Sequence, residues 1–434
     1  MRDEIVELKL PIERHLRQIL ERRRAQSTLR KLTTSSAHVV DFSSNDFLSL
    51  STSSTLRSSF LQELANPELR LGSGGSRLLD GNSSYAESLE SDIATFHRAH
   101  AGLLFNSGYD ANSGFFACVP QPNDVIIYDE YIHASVHDGM RLSRSRQRYS
   151  FAHNSVTDLK RLVEECKRDN CQIEGGQSHV FIAVEAIYSM DGDLAPLKAI
   201  VELIESVLPQ KNGYIIVDEA HSTGVIGQYG RGLVCELGLE DRVFARLHTF
   251  GKSLACNGAI VLCSPLLRQY LINYARPLIY TTFMSYPALA AIRASYNFFQ
   301  QGNTEPLALH LKTLIRTLFN QLQTLMAKYW SPNATNALIG VPLECPQSPI
   351  FAILTPHPRS LAKHCQDGGF VVRAVVPPTV PVGSSRIRVC LHAGNSIEEV
   401  RKLVERIDNW IVLRLEQQNA ESTGLGTRAE KARL

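Results

Sequence analysis

Short unbroken apolar runs alternate with longer periodic stretches through the middle of the chain. The runs cover residues 125–128, 180–184, 214–217, 243–249 and 259–263. Runs of this length are typical of strands that are buried on both faces, and the segments between them are long enough for helices. The pattern predicts an α/β protein with a mostly parallel central sheet, flanked by helices.

The hydrophobic pattern changes toward both ends of the chain. Residues 12–32 predict an arginine-rich amphipathic helix, and residues 39–42 are a strand candidate that follows it. Residues 288–330 predict a long helix that is interrupted near 300–302. Beyond it the pattern predicts a smaller α+β unit with strands at 350–354, 370–374 and 386–391 and a closing helix at 396–416.

These elements divide the chain into four predicted parts. They are an N-terminal helical segment (1–48), a large domain (49–296), a small C-terminal domain (297–415) and a polar tail (416–434). The last three residues, Ala432-Arg433-Leu434, have the small–basic–Leu form of a peroxisomal address. We therefore expect a peroxisomal protein, or a cytoplasmic one if this address is not used.

Composition narrows the function classes. A net charge of +2 on 434 residues gives no electrostatic field that would favour nucleic acid. The nine cysteines include no Cys-x-x-Cys pair, which favours a reducing compartment over disulfides or a structural zinc site. The first residues are charged, unlike a secretory signal, and no apolar run has the length of a membrane span. We expect no bound metal and no membrane-spanning segment.

The candidate chemistry starts from Asp218 and Lys252. Asp218 follows the apolar run 214–217, His221 comes three residues later, and Lys252 follows the run 243–249. The carboxyl ends of parallel strands meet in one crevice, so these groups are expected to face a common ligand. A strand-end aspartate and a lysine in apolar surroundings suit pyridoxal phosphate, because the lysine can form a Schiff base and the aspartate can keep the pyridine nitrogen protonated.

The same residues also resemble two nucleotide-binding motifs. Residues 216–221 are similar to an acidic helicase motif, and Gly251-Lys252-Ser253 is similar to the end of a phosphate-binding loop. That loop requires a glycine at position 246, where this chain has arginine, and it should precede the acidic strand. Both failures argue against an NTPase.

Further candidates lie on turns. Gly108 and Tyr109 lie at a predicted strand-to-helix turn, whose free amides can bind a phosphate, although many such turns bind nothing. Residues 72–81 are glycine-rich and are either a flexible turn or a close approach to a ligand. His133 could stack on a flat cofactor or be structural, and Ser189 lies on an acidic turn after a core strand.

Two arginines alternate along the last predicted strand. Arg386 and Arg388 are two positions apart and therefore share one face of that strand. An arginine presented in this way can hold a carboxylate through two parallel hydrogen bonds. For an isolated arginine, a surface ion pair is the alternative.

Taken together and in this order, these stretches resemble the α-oxoamine synthase family of fold-type I pyridoxal phosphate enzymes. The resemblance spans about residues 22–406 and rests on residues 42–46, 72–81, 132–135, 189–193, 218–224, 249–252 and 378–381. It implies an aspartate-aminotransferase-like fold, pyridoxal 5'-phosphate as cofactor, and a homodimer with active sites at the interface.

The resemblance also implies roles for individual residues. Lys252 is the implied Schiff-base lysine, Asp218 the partner of the pyridine nitrogen and His221 the partner of the ring hydroxyl, while His133 stacks on the ring. Further cofactor contacts are implied for Gly108, Tyr109, Ser189, Thr249 and, across the dimer, Thr282. Substrate contacts are implied for Arg30, Asn45, Thr379 and Arg388, of which Arg388 holds the amino-acid carboxylate.

The resemblance implies an acyltransferase acting on small molecules. Within the family, the Pro377-Pro378-Thr379-Val380-Pro381 stretch favours the biotin-pathway activity, a decarboxylative condensation of L-alanine with pimeloyl-CoA. A related synthase with another amino acid or acyl thioester stays open, because residues 283–287 are bulkier than usual near the acyl channel. A non-catalytic regulatory subunit is the alternative of another class, and the presence of Lys252 argues against it.

Overall fold

The computed structural model describes residues 10–26, 28–34, 39–67, 69–329 and 338–431, with side chains as far as residue 419. The chain divides into two compact units, Met1–Val39 and Val40–Leu434. The predicted domain boundaries after residues 48, 296 and 415 stay a prediction. No helix in the described ranges combines the length and apolar character that a membrane crossing requires.

The first unit contains helix α1 (Pro11–Ala25), which is shorter than the predicted helix at 12–32. The backbone amide of Thr28 donates to the carbonyl of Arg23 at 2.8 Å, and its hydroxyl donates to the same oxygen at 3.2 Å. A threonine that bonds backbone groups in this way competes with further helical turns, which explains the earlier end.

The second unit contains the remaining elements. Its strands are β1 (Val40–Asp41), β2 (Ala101–Phe105), β3 (Val125–Asp129), β4 (Gln147–Phe151), β5 (Val180–Glu185), β6 (Gly213–Asp218), β7 (Ala245–Thr249), β8 (Ala259–Cys263), β9 (Ile350–Leu354), β10 (Phe370–Val371), β11 (Arg373–Val375) and β12 (Arg386–Cys390). Its helices are α2 (Ser54–Leu64), α3 (Ser84–Phe96), α4 (Gly108–Cys118), α5 (Ala134–Leu142), α6 (Val156–Asp169), α7 (Cys171–Glu174), α8 (Leu197–Val207), α9 (Leu233–Glu236), α10 (Pro265–Tyr274), α11 (Arg276–Ile279), α12 (Tyr286–Gln300), α13 (Glu305–Tyr329), α14 (Pro358–Asp367) and α15 (Ile397–Lys431). Two short 3₁₀ helices cover Leu50–Thr52 and Gln228–Gly230.

The large sheet has seven strands in the order β2-β8-β7-β6-β5-β3-β4. All neighbouring pairs are parallel except those of β8, which runs antiparallel to β2 and β7. Alternate residues of β5 and β6 enter two different core clusters, Phe181 and Ile216 on one face and Ile182 and Val217 on the other. The sheet is therefore covered on both faces, which explains its unbroken apolar runs and confirms the predicted fold class.

The smaller sheet has the order β11-β12-β9 and is antiparallel throughout. A separate two-stranded sheet is formed by β1, which pairs in parallel with β10. The predicted break in the long helix is confirmed, because α12 ends at Gln300 and α13 begins at Glu305.

The closing helix differs from its prediction. α15 continues from Ile397 to Lys431, so residues 417–431, which we expected to form a tail beyond the helix, are helical. No proline, the residue that most strongly stops a helix, occurs in this stretch.

Candidate active site

A cavity of about 190 Å³ opens at the carboxyl ends of the central strands of the large sheet. β5 ends at Glu185, β6 at Asp218 and β7 at Thr249, and Lys252 follows in the turn toward β8. The residues that line the cavity are Gly108, Tyr109, Asn112, His133, Glu185, Asp218, Ala220, His221, Leu247, Thr249 and Lys252. The structure therefore brings together seven of the residues that the sequence predicted for a cofactor: Gly108, Tyr109, His133, Asp218, His221, Thr249 and Lys252.

Lys252 lines this cavity from a tight turn between β7 and β8. The turn is closed by backbone hydrogen bonds from Ala255 to the carbonyl of Lys252 and from Cys256 to that of Phe250, both at 2.9 Å. Burial lowers the pKa of Lys252 to about 8, although attraction to Asp218 opposes this shift. An amine with this pKa is partly uncharged near neutral pH and can act as a nucleophile or a base.

Asp218 is held by donors from two other elements. Its Oδ2 accepts from Asn112 Nδ2 at 2.8 Å, and its Oδ1 accepts from the backbone amide of Ala220 at 2.9 Å. The Asn112 amide also donates to Ser135 Oγ at 3.1 Å, and Ser135 Oγ lies 2.7 Å from His133 Nδ1. One continuous network thus fixes the orientation of both Asp218 and His133.

His221 is buried and has an incomplete set of hydrogen bonds. Its Nδ1 is buried and has no hydrogen-bond partner among the described residues. Burial lowers the pKa of His221 well below its usual range, and the charges of Lys252 and Arg388 add to this effect. A buried polar atom without a partner costs free energy, so Nδ1 is available for a group that enters the cavity.

The N-terminus of α4 borders the same cavity. Ser107 caps the helix, accepting from the amide of Asp110 at 3.0 Å, and Gly108 and Tyr109 are its first two residues. A β-carbon added to Gly108 would lie 3.4 Å from Thr249 Oγ1, so a side chain there would reduce the space beside the helix. Free amides at a helix N-terminus bind anionic groups, which fits a phosphate.

Two of the predicted substrate residues, Asn45 and Arg388, are in direct contact. Arg388 Nε donates to the carbonyl of Ser189 at 2.6 Å, and its Nη2 donates to Asn45 Oδ1 at 2.9 Å. These bonds hold the guanidinium in one orientation and leave Nη1 without a protein partner in the described ranges. Ser189 and Thr379 border a second cavity of about 500 Å³, which is lined by Glu130, Tyr131, Ile132, Tyr188, Ser189, Met190, Asp191 and residues 377–382.

Three of the predicted residues in the second unit, Asn45, Thr282 and Arg388, line neither cavity. Thr282 is exposed, and its carbonyl accepts from Asn106 Nδ2 at 2.7 Å. Arg30 is exposed and belongs to the first compact unit. Their roles toward a partner subunit and a substrate stay predictions. Arg386 is buried and forms an ion pair with the partly exposed Asp191.

Two polar residues of the cavity, Asn112 and Glu185, were not predicted from the sequence. Glu185 lies one position beyond the apolar run 180–184, and the rule that ligands gather at strand carboxyl ends would have found it. Asn112 lies four residues after Gly108 on α4, and therefore on the same helix face. That spacing alone predicts Asn112 only weakly, because the orientation of the helix toward the site must be known first.

Comparisons with known proteins agree with this geometry. Residues 37–407 match the aminotransferase class I and II family, and the chain belongs to that family. An Emericella nidulans relative named 8-amino-7-oxononanoate synthase is 52% identical over 407 residues, covering 93% of this chain and 97% of the relative. An Aspergillus fumigatus relative named aminoacyl transferase sphA is 37% identical over 90% of this chain and 85% of its own length.

A solved structure shows the same fold. The serine palmitoyltransferase of Sphingomonas wittichii superimposes with a TM-score of 0.79 at 24% identity, covering 92% of this chain and 98% of that protein. Together with the sequence relatives, it confirms the predicted resemblance to the α-oxoamine synthases.

Proposed function

We propose that this protein is a pyridoxal phosphate-dependent acyltransferase that condenses L-alanine with pimeloyl-CoA. The products are 8-amino-7-oxononanoate, CoA and CO2, a reaction of biotin biosynthesis. The observation that carries the proposal is the 52% identity to the Emericella nidulans synthase over 93% of this chain. The cavity at the strand ends supports it, because its residues suit the cofactor that such an enzyme needs.

The cavity fits pyridoxal phosphate at three places. The amides at the start of α4 suit its phosphate, the Asp218 carboxyl suits its ring nitrogen, and the partnerless Nδ1 of His221 suits a polar atom on the ring. When bound, pyridoxal phosphate supplies an aldehyde that combines with amines and a ring that draws electrons from the substrate Cα.

Each residue of the site then has a separate role. The Nζ of Lys252 would hold the cofactor through its aldehyde and, when free and uncharged, would accept the proton from the Cα of alanine. Asp218, oriented by Asn112 and Ala220, places a negative charge where a ring nitrogen needs its proton. His133 is fixed through Ser135 and can cover one face of a flat ring.

Arg388 is the proposed binding site for the carboxylate of alanine. Its orientation is fixed by Ser189 and Asn45, and its Nη1 remains available. A charge-assisted bond from a preoriented guanidinium costs little side-chain entropy when the substrate binds. The second cavity, beside Ser189 and Thr379, is the proposed place for the acyl donor.

The direct test mixes purified holoenzyme with L-alanine and pimeloyl-CoA. We expect the release of free CoA thiol and of CO2 in equal amounts, together with an amino ketone of the expected mass. Omission of alanine is the matched control and should abolish both signals. Release of thiol without CO2 would show simple thioester hydrolysis and would contradict the proposal.

A related synthase with another acyl thioester is the second candidate. It is favoured by the aminoacyl transferase sphA relative, which is 37% identical over 90% of this chain. A panel of acyl-CoA donors of increasing chain length, with alanine, glycine and serine, separates the two. The pimeloyl–alanine pair should have the highest kcat/KM, and a preference for a long-chain donor would favour the second candidate.

We also propose that the enzyme is a homodimer. Ser73 Oγ donates to the carbonyl of Phe283, and the amide of Phe283 donates to Gly75, both at 2.9 Å, so the two segments adjoin. Leu79 and Tyr280 on these segments are 77% and 71% exposed. Exposed large apolar groups of this kind favour a protein interface.

Sedimentation of Leu79→Asp tests the dimer. We expect the wild type at twice the chain mass and the variant shifted toward the monomer with reduced activity. Leu343→Asp is the matched control, because Leu343 is 93% exposed on another segment. A wild-type monomer with full activity would contradict the proposal.

The proposed location is the peroxisome. Ala432-Arg433-Leu434 lies outside the described residues, and the proposal is supported by its small–basic–Leu form. Deletion of these three residues should leave activity in vitro unchanged and move a fluorescent fusion to the cytosol. An unchanged distribution in cells would contradict it.

A further inference from the structure

Glu185 is a buried acidic residue of the cofactor cavity for which the reaction above has no use. It is the last residue of β5, is 4% exposed, and lines the cavity together with Lys252. Glu185 is too buried to be an ordinary surface carboxylate, and a carboxyl group does not contribute to apolar packing. This makes Glu185 the strongest candidate for a further function in the described part of the chain.

The strand register places Glu185 beside a second carboxyl group. Glu185 and Asp218 are directly paired neighbours on the parallel strands β5 and β6. Neighbouring strands are about 5 Å apart, and paired residues point to the same face of the sheet. Two carboxylates at this separation in a buried site repel each other strongly, so one of them is favoured to hold a proton.

The available hydrogen-bond donors show which group keeps the charge. Asp218 accepts from the Asn112 side chain and the Ala220 amide. The backbone amide of His133 is the one donor group that lowers the pKa of the Glu185 carboxyl among the described residues, and it only partly offsets the effect of burial. A carboxylate is stabilised by several donors, so Asp218 is the better place for the charge and Glu185 for the proton.

The charges around Glu185 lead to the same assignment. Burial raises the pKa of Glu185 well above its usual range, and repulsion from Asp218 and Asp129 adds to this, while Lys252 and the His133 amide offset a part of it. Asp129, the last residue of the neighbouring strand β3, is paired with His153 at 2.9 Å. The titratable and charged groups that surround the site are Asp129, His133, Tyr188, Asp218, His221, Lys252 and Arg388.

We propose that Glu185 enters the cofactor cavity as an uncharged carboxylic acid that positions His133 and leaves Asp218 as the one carboxylate beside Lys252. The carbonyl oxygen of the acid accepts the His133 amide at the start of α5, and this fixes the ring that is proposed to cover the cofactor. The absence of a second negative charge keeps the Lys252 amine from being held in its protonated form. Glu185 is thus a positioning residue, and this inference rests on the proposed function.

The test compares Glu185→Gln with Glu185→Ala in the full-length protein. Cofactor is removed, and the rate at which pyridoxal phosphate forms its covalent link is measured against pH by absorbance. Glutamine has the shape of the neutral acid and keeps the acceptor for His133, so its profile should have the wild-type midpoint to within about 0.3 pH unit. Alanine removes the acceptor and should weaken cofactor binding about five- to tenfold.

If Glu185 is instead ionised, the glutamine variant loses a negative charge beside Lys252. Its midpoint would then fall by about one pH unit or more, which would overturn the proposal. Wild-type cofactor affinity in Glu185→Ala would overturn it as well.

Glu219→Gln is the matched control. Glu219 is equally buried but accepts from the amides of Leu233 and Val234, away from the cavity. This variant should lose thermal stability without a shift of the midpoint, and a loss of cofactor affinity as large as that of Glu185→Ala would overturn the proposal. A wild-type protein that forms no link with pyridoxal phosphate would overturn the proposed function itself, which is a different result.

Discussion

Two groups of polar side chains lie near carboxyl ends of the large sheet and hold a histidine in opposite ways. In the first, His153 binds Asp129 through Nδ1 at 2.9 Å and Asp193 through Nε2 at 2.8 Å. Burial opposes a charge on His153, but the two hydrogen-bonded carboxylates outweigh it and raise its pKa to about 10. In the second, His221 in the cofactor cavity has a buried Nδ1 without a partner and a pKa well below its usual range.

The difference separates a structural cluster from a site built for a ligand. In the His153 cluster every ring nitrogen has a partner within the protein, and Tyr131 stacks on the ring at 4.4 Å. The hydrogen bonds of the His153 cluster therefore stabilise the folded protein. In the cofactor cavity, the buried Nδ1 of His221 has no partner among the described residues, and burial lowers the pKa of Lys252, so these groups contribute little to folding. Changes in the cavity should affect chemistry, and changes in the cluster should affect stability.

The largest expected effect is that of Lys252→Ala. Turnover should fall by at least about 10³-fold, because the variant loses both the nucleophile and the base. Borohydride treatment of the holoenzyme should attach a pyridoxyl group to the wild type and to the exposed-lysine control Lys198→Ala, but not to this variant. Near-normal turnover of Lys252→Ala would show that the cofactor cavity is not the site of the reaction, and the contrast with the His153 cluster would then have no functional meaning.

The next largest effect is expected for Asp218→Asn. An asparagine keeps the shape and can still accept from Asn112, but it places no charge at the proposed ring nitrogen. We expect the fold and thermal stability to be retained and kcat to fall about 10²–10³-fold. Asp241→Asn, at an exposed position, serves as control. A kcat within about threefold of the wild type would refute the role of Asp218.

A smaller effect is expected from pH on cofactor association. Lys252 must be uncharged to attack the aldehyde, and burial lowers its pKa to about 8. The association rate of apoenzyme with pyridoxal phosphate should therefore rise about tenfold per pH unit below this value and level off above it. Stopped-flow absorbance measures the profile. A rate that continues to rise about tenfold per pH unit from pH 8 to about 10 would contradict the lowered pKa.

The smallest effect on turnover is expected for His153→Asn, because this substitution should lower the free energy of unfolding instead. The folded pKa of about 10 exceeds the ordinary 6.5, so the stabilisation is fully present below pH 6.5 and is lost as the pH rises through about 10. We expect the free energy of unfolding to fall by about 1–3 kcal/mol at pH 6, with a smaller loss at higher pH. Urea denaturation at several pH values measures this.

The matched control for this variant is His179→Asn. His179 contacts a single carboxylate, Asp124, at 2.9 Å and is more exposed than His153, so its loss of stability should be smaller. A His153→Asn loss that grows with pH, or a shift of the cofactor association midpoint, would show that the cluster belongs to the chemistry.

The sequence predicted the buried strands well because strands that are covered on both faces leave unbroken apolar runs. It did not predict β4, an edge strand whose Gln147, Tyr149 and Ser150 are largely polar or exposed. It could not show that β8 runs antiparallel, because a buried run has the same composition in either direction. The helix at 12–32 was predicted too long, since hydrophobic periodicity does not register the bond of Thr28 to Arg23 that ends α1.

The sequence by itself determined which groups carry the proposed chemistry. Asp218 and Lys252 each follow an apolar run directly, and strand ends of a parallel sheet converge whatever the details of packing. Only the tertiary structure decided their protonation and their partners. Burial, the pairing of Glu185 with Asp218 across β5 and β6, and the contact of Asn112 with Asp218 depend on strand register and helix placement, which join residues that are 33 and 106 positions apart.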